Sequence, residues 1–233
     1  MRIYTKDNFP KKTSIPSYFW TWAFRVFLIL ILVLVGLFLF AIPLLLTAIY
    51  SYGVIILLIG CYLLVIFAIF QFIKHVRKAK NNVVQQVTVD STGVHYLKLD
   101  GTKESILYTE LSKSTVPYNK DIFTKRTGGR YSITELKVFH NNIEKSISFR
   151  NTDILYTNFT RNHRELRRYF LQGITLFRPD LSVSSTVYSN FFIHPETFEF
   201  DKKEFVKTVV LTAIIIIILL VTIQIYTKNR FGD

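Results

Sequence analysis

Residues 83–111, VVQQVTVDSTGVHYLKLDGTKESILYTEL, establish the fold class of the polar part of the chain. Apolar and polar side chains alternate in three short runs, and this period of two predicts β-strands over 83–90, 94–100 and 103–111. The Asp100–Gly101 pair between the second and third runs is typical of a tight hairpin turn. We therefore expect consecutive strands that pair antiparallel.

The strand pattern continues to residue 149 and then changes to a helical one. Turn-forming sequences, TGG at 127–129 and HNN at 140–142, separate the later runs. The further predicted strands are 113–118, 121–126, 131–139 and 143–149. Apolar residues at helical spacing follow in 163–172, where we expect Asn162 to cap the helix and Gly173 to end it. The pattern predicts an α+β domain of about seven antiparallel strands closed by one amphipathic helix.

This order of elements resembles that of bacterial pleckstrin-homology-like domains attached to membrane hairpins. In VTVDSTGVHYLKLDGTKESILYTELSKSTV (87–116), one strand leads into a turn at Gly93–Val94. In that family a later element, (Ile/Leu)-x-(Tyr/Trp)-x-x-(Ile/Leu), precedes the next strand. Ile106, Tyr108 and Leu111 match this element here. The segment HRELRRYFLQGITLFRPDL (163–181) resembles the closing helix and its proline-containing tail. The resemblance covers roughly residues 25–180, and it implies a seven-stranded barrel or sandwich capped by a helix, with a role in scaffolding or lipid-proximal binding.

Two uncharged runs predict membrane-spanning helices. The first, Val26 to Ile73, has 48 residues, and the second, Thr208 to Thr227, has 20. Because one span needs about 20 residues, the first run predicts two helices with a turn near 47–53, and the second predicts one more. The expected fold class is therefore membrane α-helical, with three transmembrane helices, plus the α+β domain.

The expected organisation has seven parts. They are an N-terminal segment (1–17), a transmembrane hairpin (18–73), a basic linker (74–82), the α+β domain (83–173), an aromatic-rich connection (174–206), a third transmembrane helix (207–227) and a tail (228–233).

The net charge of +13 is concentrated beside the apolar runs. Residues 83–206 carry 17 Lys and Arg against 14 Asp and Glu, which leaves only +3 there. A nucleic-acid-binding domain concentrates basic charge on one face, so we expect no nucleic-acid partner. By the positive-inside rule, the basic residues before the first span and at 74–80 predict a cytoplasmic N-terminus and main domain, and an external C-terminus. The composition and the uncharged hairpin turn suggest a multi-pass protein of a bacterial inner membrane.

The sequence contains no motif typical of catalysis, of a metal site or of a cofactor site. The five histidines lack metal-ligand spacing, Cys61 is the single cysteine, and TGGR at 127–130 lacks the spacing of a phosphate-binding loop. The predicted spans contain no Asp, Glu, Lys or Arg, the residue types that mark ion and proton pathways. We expect a protein that is not an enzyme and that needs no cofactor.

Two basic clusters and the aromatic connection supply the candidate contact residues. Each base near an anionic leaflet contributes about 1 kcal/mol to binding. The aromatic rings of 174–206 either bind a partner, if exposed, or pack against the domain. The candidates are Lys74, Arg77, Lys78, Lys80, Arg161, Arg164, Arg167, Arg168, Phe191 and Phe192.

These residues favour a non-enzymatic membrane protein whose domain binds anionic lipid or a protein partner, as a scaffold or as a subunit of a membrane complex. An immunity or inhibitor protein that neutralises a toxin at the inner membrane is the alternative. A small-solute transport component is the weaker one, and the uncharged spans are also compatible with a homo-oligomer.

Overall fold

A computed structural model describes residues 4–47, 83–116, 120–127, 133–150 and 157–231, together with ten residues between 59 and 74. The strands are β1 (Lys12–Thr13), β2 (Pro16–Ser17), β3 (Val84–Val89), β4 (Gly93–Lys98), β5 (Lys103–Leu107), β6 (Leu111–Ser112), β7 (Ile122–Thr127), β8 (Ile133–His140), β9 (Ile143–Ile147) and β10 (Phe159–Thr160). The helices are α1 (Tyr18–Thr47), α2 (His163–Phe177), α3 (Ser185–Phe191) and α4 (Lys202–Phe231), with a 3₁₀ turn at Tyr108–Glu110.

The first sheet has the order β1-β3-β4-β5, and all its pairs are antiparallel. The three strands predicted from 83–111 are confirmed, although the third ends at Leu107, where the 3₁₀ turn begins. Gly93 is required where β4 starts, because a Cβ there would collide with the carbonyl oxygen of Ile106 on β5. The alternation in the sequence places Val87 and Val89 in the core.

The second sheet is built on β8, which pairs with β7, β9 and, at its end, β6. Asn141 and Asn142 make the predicted β8–β9 turn with φ of 51° and 65°, a conformation that asparagine tolerates. The predicted strand at 113–118 is wrong for its described residues, 113–116. The amide of Ser114 donates to the Asp121 carboxylate at 2.6 Å, so it is not available to a strand ladder.

Helix α2 begins at the predicted residue but ends later. Gly173 does not end it; the helix continues to Phe177, and Arg178 closes the last turn through its amide and the Ile174 carbonyl at 2.8 Å. Gly173 is instead a close-packing position, because a Cβ there would collide with the ring of Tyr108. Gly173 suggests a helix end in the sequence, but the residue is glycine because of its tertiary contact with Tyr108.

Asn162 does not cap α2 with its side chain. Its Oδ1 accepts from the Ile15 amide at 2.7 Å, and its Nδ2 donates to the Thr13 carbonyl at 2.9 Å. The side chain thus connects α2 to the segment before α1, and this corrects the sequence-based expectation.

The core lies between the sheets and α2, which contacts β1, β3, β4 and the 3₁₀ turn. Segments outside 83–173 complete it: Phe9 comes from the N-terminal segment, and Leu181, Val187 and Ile193 come from the connection after α2. The N-terminal segment also supplies β1 to the first sheet and pairs β2 with β10. The folded domain is therefore larger than 83–173.

Two of the described helices are long and apolar enough to cross a membrane. They cover Tyr18–Phe38 and Lys202–Tyr226, with mean hydropathies of 2.5 and 2.9. Their side chains are almost entirely unburied by the rest of the chain. The described residues between 59 and 74, in the second predicted span, are all helical, and the rest of that span and most of its predicted turn lie outside the described residues.

Candidate functional site

The first turn of α2 lies where the two long apolar helices join the domain. On one side, Asn162 bonds to Thr13 and Ile15, which precede α1. On the other side, the Arg164 guanidinium carbon lies 4.9 Å from the ring centroid of Phe200 and 5.0 Å from that of Phe205, at the start of α4. We call this place the helix junction.

Helix α2 exposes its basic residues at the helix junction and buries its apolar ones. Positions 164, 167 and 168 share one side of the helix because they are three and four residues apart. Leu166 and Phe170 are fully buried against the sheets. Arg161, just before the helix, and Arg164 are exposed, whereas Arg167 and Arg168 are half-buried.

Aromatic rings lie beside three of the guanidinium groups, and the Arg168 guanidinium carbon is 5.5 Å from the ring centroid of Tyr169. Arg167 lies 3.7 Å above the Phe191 ring, and Arg164 is held by Phe200 and Phe205. A cation above an aromatic face gains about 0.5 to 2 kcal/mol, more as it is desolvated. The rings therefore fix the direction in which the arginines present their N–H groups.

The electrostatic potential of the cluster is positive and largely uncompensated. Among the described residues no carboxylate forms an ion pair with Arg164, Arg167 or Arg168. Burial, together with the charges of Arg150 and Arg164, lowers the pKa of Arg167 to about 10, so this side chain is still charged at neutral pH.

His163 reports the same potential. Its Nδ1 donates to the Thr160 carbonyl at 3.0 Å, and its Nε2 accepts from Arg150 at 3.2 Å, because a carbonyl can only accept and a guanidinium can only donate. Burial, followed by the charges of Arg150, Arg167 and Arg164, lowers the pKa of His163 to about 4. The imidazole is therefore neutral at physiological pH.

A cavity of about 330 Å³ opens between α2 and α3 beside these arginines. Its walls combine basic and aromatic side chains: Arg164, Arg167, Arg168, Phe191, Ile193 and Phe200, with Glu165. Glu165 pairs with Lys12 at 3.3 Å. The Nε atoms of Arg167 and Arg168 are buried and have no hydrogen-bond partner within the described part of the chain. Buried polar atoms are nearly always hydrogen-bonded, so these two guanidinium groups are under-satisfied within the described chain.

The structure brings together four of the ten predicted contact residues as a cluster: Arg161, Arg164, Arg167 and Arg168. Lys74 is helical and exposed, and Arg77, Lys78 and Lys80 lie outside the described residues. Phe191 is only 8% exposed, so the packing alternative applies to its ring. Phe192 is half-buried and contacts Phe200 and Phe205.

Sequence reasoning missed basic residues on both sides of α2. Lys202, Lys203 and Lys207 are exposed around the first turns of α4, and Arg150 approaches His163 from the end of the second sheet. The three lysines were detectable, because they lie directly before the apolar run at 208–227. Arg150 was not, since nothing local connects it to residue 163.

A Ser-His-Asp arrangement occurs on the first sheet. Ser105 Oγ lies 2.7 Å from His95 Nδ1, and Asp90 Oδ1 lies 3.2 Å from His95 Nε2. His95 and Ser105 are directly opposite in the β4–β5 register, and Asp90 Oδ1 also accepts from the amide and hydroxyl of Thr92. We interpret this group as a cross-strand and turn network, because His95 and Ser105 are register partners and Asp90 already accepts the Thr92 bonds of its own turn.

Comparison with protein-family models, curated proteins and solved structures finds no match for the chain. Within the described residues there is also no group of three or more His, Cys, Asp or Glu side chains placed to hold a metal ion. We therefore infer a function from the geometry of the helix junction.

Proposed function

We propose that this chain is a non-enzymatic integral membrane protein whose α+β domain lies against the cytoplasmic face of a bacterial inner membrane and binds anionic lipid headgroups at the helix junction. In this role the domain is a scaffold, or a subunit of a membrane complex, and its antiparallel sheets closed by α2 agree with a pleckstrin-homology-like architecture.

One observation carries the proposal: the basic side chains converge where both long apolar helices leave the domain. Arg161 and Arg164 are exposed on the α2 side, and Lys202, Lys203 and Lys207 are exposed on the α4 side. If α1 and α4 span the bilayer, these charges lie at headgroup depth, where each contributes about 1 kcal/mol on an anionic leaflet.

The test uses the full chain in nanodiscs of phosphatidylcholine with and without phosphatidylglycerol. We expect slower amide hydrogen exchange in the first turns of α2 and in 200–207 when phosphatidylglycerol is present, and a smaller difference at high salt. A triple variant, Arg161→Gln, Lys202→Gln and Lys203→Gln, should lose most of the difference.

A matched triple variant controls for net charge. Lys103→Gln, Lys120→Gln and Arg126→Gln remove the same number of exposed charges outside the helix junction. The control should behave like the unmodified chain. Equal exchange in the two kinds of nanodisc, or an unchanged difference in the junction variant, would contradict the proposal.

The proposed orientation has its own test. An alkaline phosphatase fused to the C-terminus should be active, because that end is expected outside, and a green fluorescent protein there should be dark. The opposite pair of results would contradict the orientation.

A further inference from the structure

The half-buried arginines differ from the exposed bases around them. Arg161, Lys202 and Lys203 are exposed to solvent and suit a diffuse anionic surface. Arg167 and Arg168 instead line the cavity between α2 and α3, and each has a buried Nε–H without a partner in the described chain. A buried, unpaired polar group is destabilising, and more so when it is charged. The two guanidinium groups are therefore under-satisfied in the described chain, and an anion beside them would compensate their charge.

The donor set specifies the chemistry of that ligand. A guanidinium has five N–H donors in a planar fork, which matches the oxygens of phosphate or carboxylate in pairs. Arg164, Arg167 and Arg168 line one opening, and their three positive charges are more than one carboxylate compensates. A phosphate group offers several strongly accepting oxygens and up to two negative charges, and it matches this arrangement better.

The surroundings of the forks favour a defined site over a mobile basic patch. Phe191 lies 3.7 Å below Arg167, while Phe200 and Phe205 hold Arg164. Glu165, which would repel an anion, is paired with Lys12. The volume of about 330 Å³ is at the lower end of the range for ligand cavities, and it is large enough for a phosphate with a small substituent.

We propose that the cavity formed by Arg164, Arg167 and Arg168 with Phe191 and Phe200 is a specific binding site for a phosphate group, supplied either by a lipid headgroup or by a soluble phosphate compound. This inference rests on the proposed function in that it assigns a ligand class to the helix junction. The two proposals differ because the phosphate site requires the planar geometry of the guanidinium groups, whereas docking on the bilayer requires only positive charge.

The experiment is isothermal titration calorimetry of the full chain in a neutral detergent. The probes are inorganic phosphate, dioctanoyl phosphatidic acid and dioctanoyl phosphatidylcholine. We expect phosphatidic acid or inorganic phosphate to bind, because each carries up to two negative charges. Phosphatidylcholine should not bind, because its phosphodiester has one negative charge that the choline group neutralises. Binding of inorganic phosphate would identify a soluble phosphate as a sufficient ligand, whereas binding of phosphatidic acid alone would identify the lipid headgroup.

Lysine substitutions separate the phosphate site from charge-based docking. Arg167→Lys keeps the charge but loses the fork, and it should weaken phosphate binding about tenfold or more. Arg126→Lys, at an exposed arginine of β7 outside the helix junction, should leave the affinity unchanged, and Arg164→Lys serves as a second cavity variant if Arg167→Lys unfolds. Neither Arg167→Lys nor Arg164→Lys should alter the lipid-dependent hydrogen exchange of the proposed function, because both variants keep the positive charge on which that exchange depends.

Two results would overturn the phosphate site. One is that none of the phosphate probes binds in detergent; the other is equal affinity in the unmodified chain and in both cavity variants. Either result would leave the proposed docking of the helix junction on the bilayer unaffected. A negative nanodisc test would likewise leave the calorimetric evidence for phosphate binding unaffected.

Discussion

Tyr108 shows how one side chain fixes the position of the closing helix. Its ring stacks between Phe170 and Phe177 of α2, with centroid distances of 5.6 Å and 5.3 Å. Its hydroxyl is buried, has no hydrogen-bond partner in the described chain, and occupies the space that a Cβ on Gly173 would need. The Tyr108 ring therefore fits in this position because residue 173 has no side chain.

Gly173→Ala is expected to destabilise the protein by about 1 to 3 kcal/mol. Helix propensity alone would favour alanine by about 1 kcal/mol, so the sign of the effect tests the contact. Denaturant unfolding of the domain in detergent measures it. Tyr108→Phe, which removes the nearest atom, should recover part of the loss in the double variant. Gly36→Ala, within α1, meets nothing within 4 Å, so it should show the gain from helix propensity and no packing loss. A stabilising Gly173→Ala would disprove the close packing.

His163 makes stability depend on pH. Its pKa is lowered to about 4 in the folded protein by burial and the neighbouring arginines, against about 6.5 in the unfolded chain. Between these values the unfolded chain binds the proton more tightly, so stability is full above pH 6.5 and falls as the pH decreases toward 4.

His163→Gln should flatten this pH dependence. We expect the unmodified chain to lose about 1 kcal/mol more than the variant between neutral pH and pH 4.5, after allowance for solvent screening of a half-buried side chain. Unfolding midpoints measured across this range give the slopes. His194→Gln, at an exposed histidine, is the control. Parallel curves for His163→Gln and the unmodified chain would show that another group titrates.

At the scale of elements, the start of α2 was predicted correctly for an incomplete reason. The apolar spacing of 163–172 is a local signal, and the helix does begin at His163. The role of Asn162 is not local, because its amide group bonds across the chain to Thr13 and Ile15. A sequence window around residue 162 contains no information about residue 15, so capping was the available interpretation.

Asn162→Asp distinguishes the two roles. Aspartate caps helices as well as asparagine does, so a capping residue would tolerate the change. The bond from the Asn162 side chain to the Thr13 carbonyl requires an N–H donor, which aspartate lacks. We therefore expect Asn162→Asp to lower the free energy of unfolding by about 1 kcal/mol, similar to the effect of Asn162→Ala. Asn8→Asp, at an exposed asparagine away from this contact, is the control. Thermal unfolding decides between the roles, and an unaffected Asn162→Asp would restore the capping role.

At the scale of the whole molecule, the domain is assembled from three separated parts of the chain. Phe9 and β1 precede the first apolar helix, the sheets follow the second predicted span, and Val187 and Ile193 follow α2. Val187 is fully buried, and Phe9 contacts Phe177 with ring centroids 5.5 Å apart. The segments that lead into α1 and into α4 are thus packed into the domain.

Two soluble fragments test this assembly. Residues 83–173 alone should fail to unfold cooperatively and should bind a hydrophobic dye, because buried faces of the sheets and α2 are left open. A chain of residues 4–17, a Gly/Ser linker and residues 83–201 should fold cooperatively, since the Ser14 amide already bonds to the Val87 carbonyl at 2.7 Å. Circular dichroism melting compares them. Equal cooperativity of the two fragments would contradict a three-part domain.

Local sequence patterns predict the features that repeat over a few residues: the alternation of β3 and β4, the turn at Asn141–Asn142, the start of α2 and the long apolar runs. These follow from side-chain period and turn chemistry, which act locally. Three features become visible only in the folded chain: Gly173 faces Tyr108, residues 4–17 and 178–201 complete the core, and Arg167 lies over Phe191 beside a cavity. Those contacts join residues far apart in the chain, and their energies come from packing and desolvation that no local pattern records.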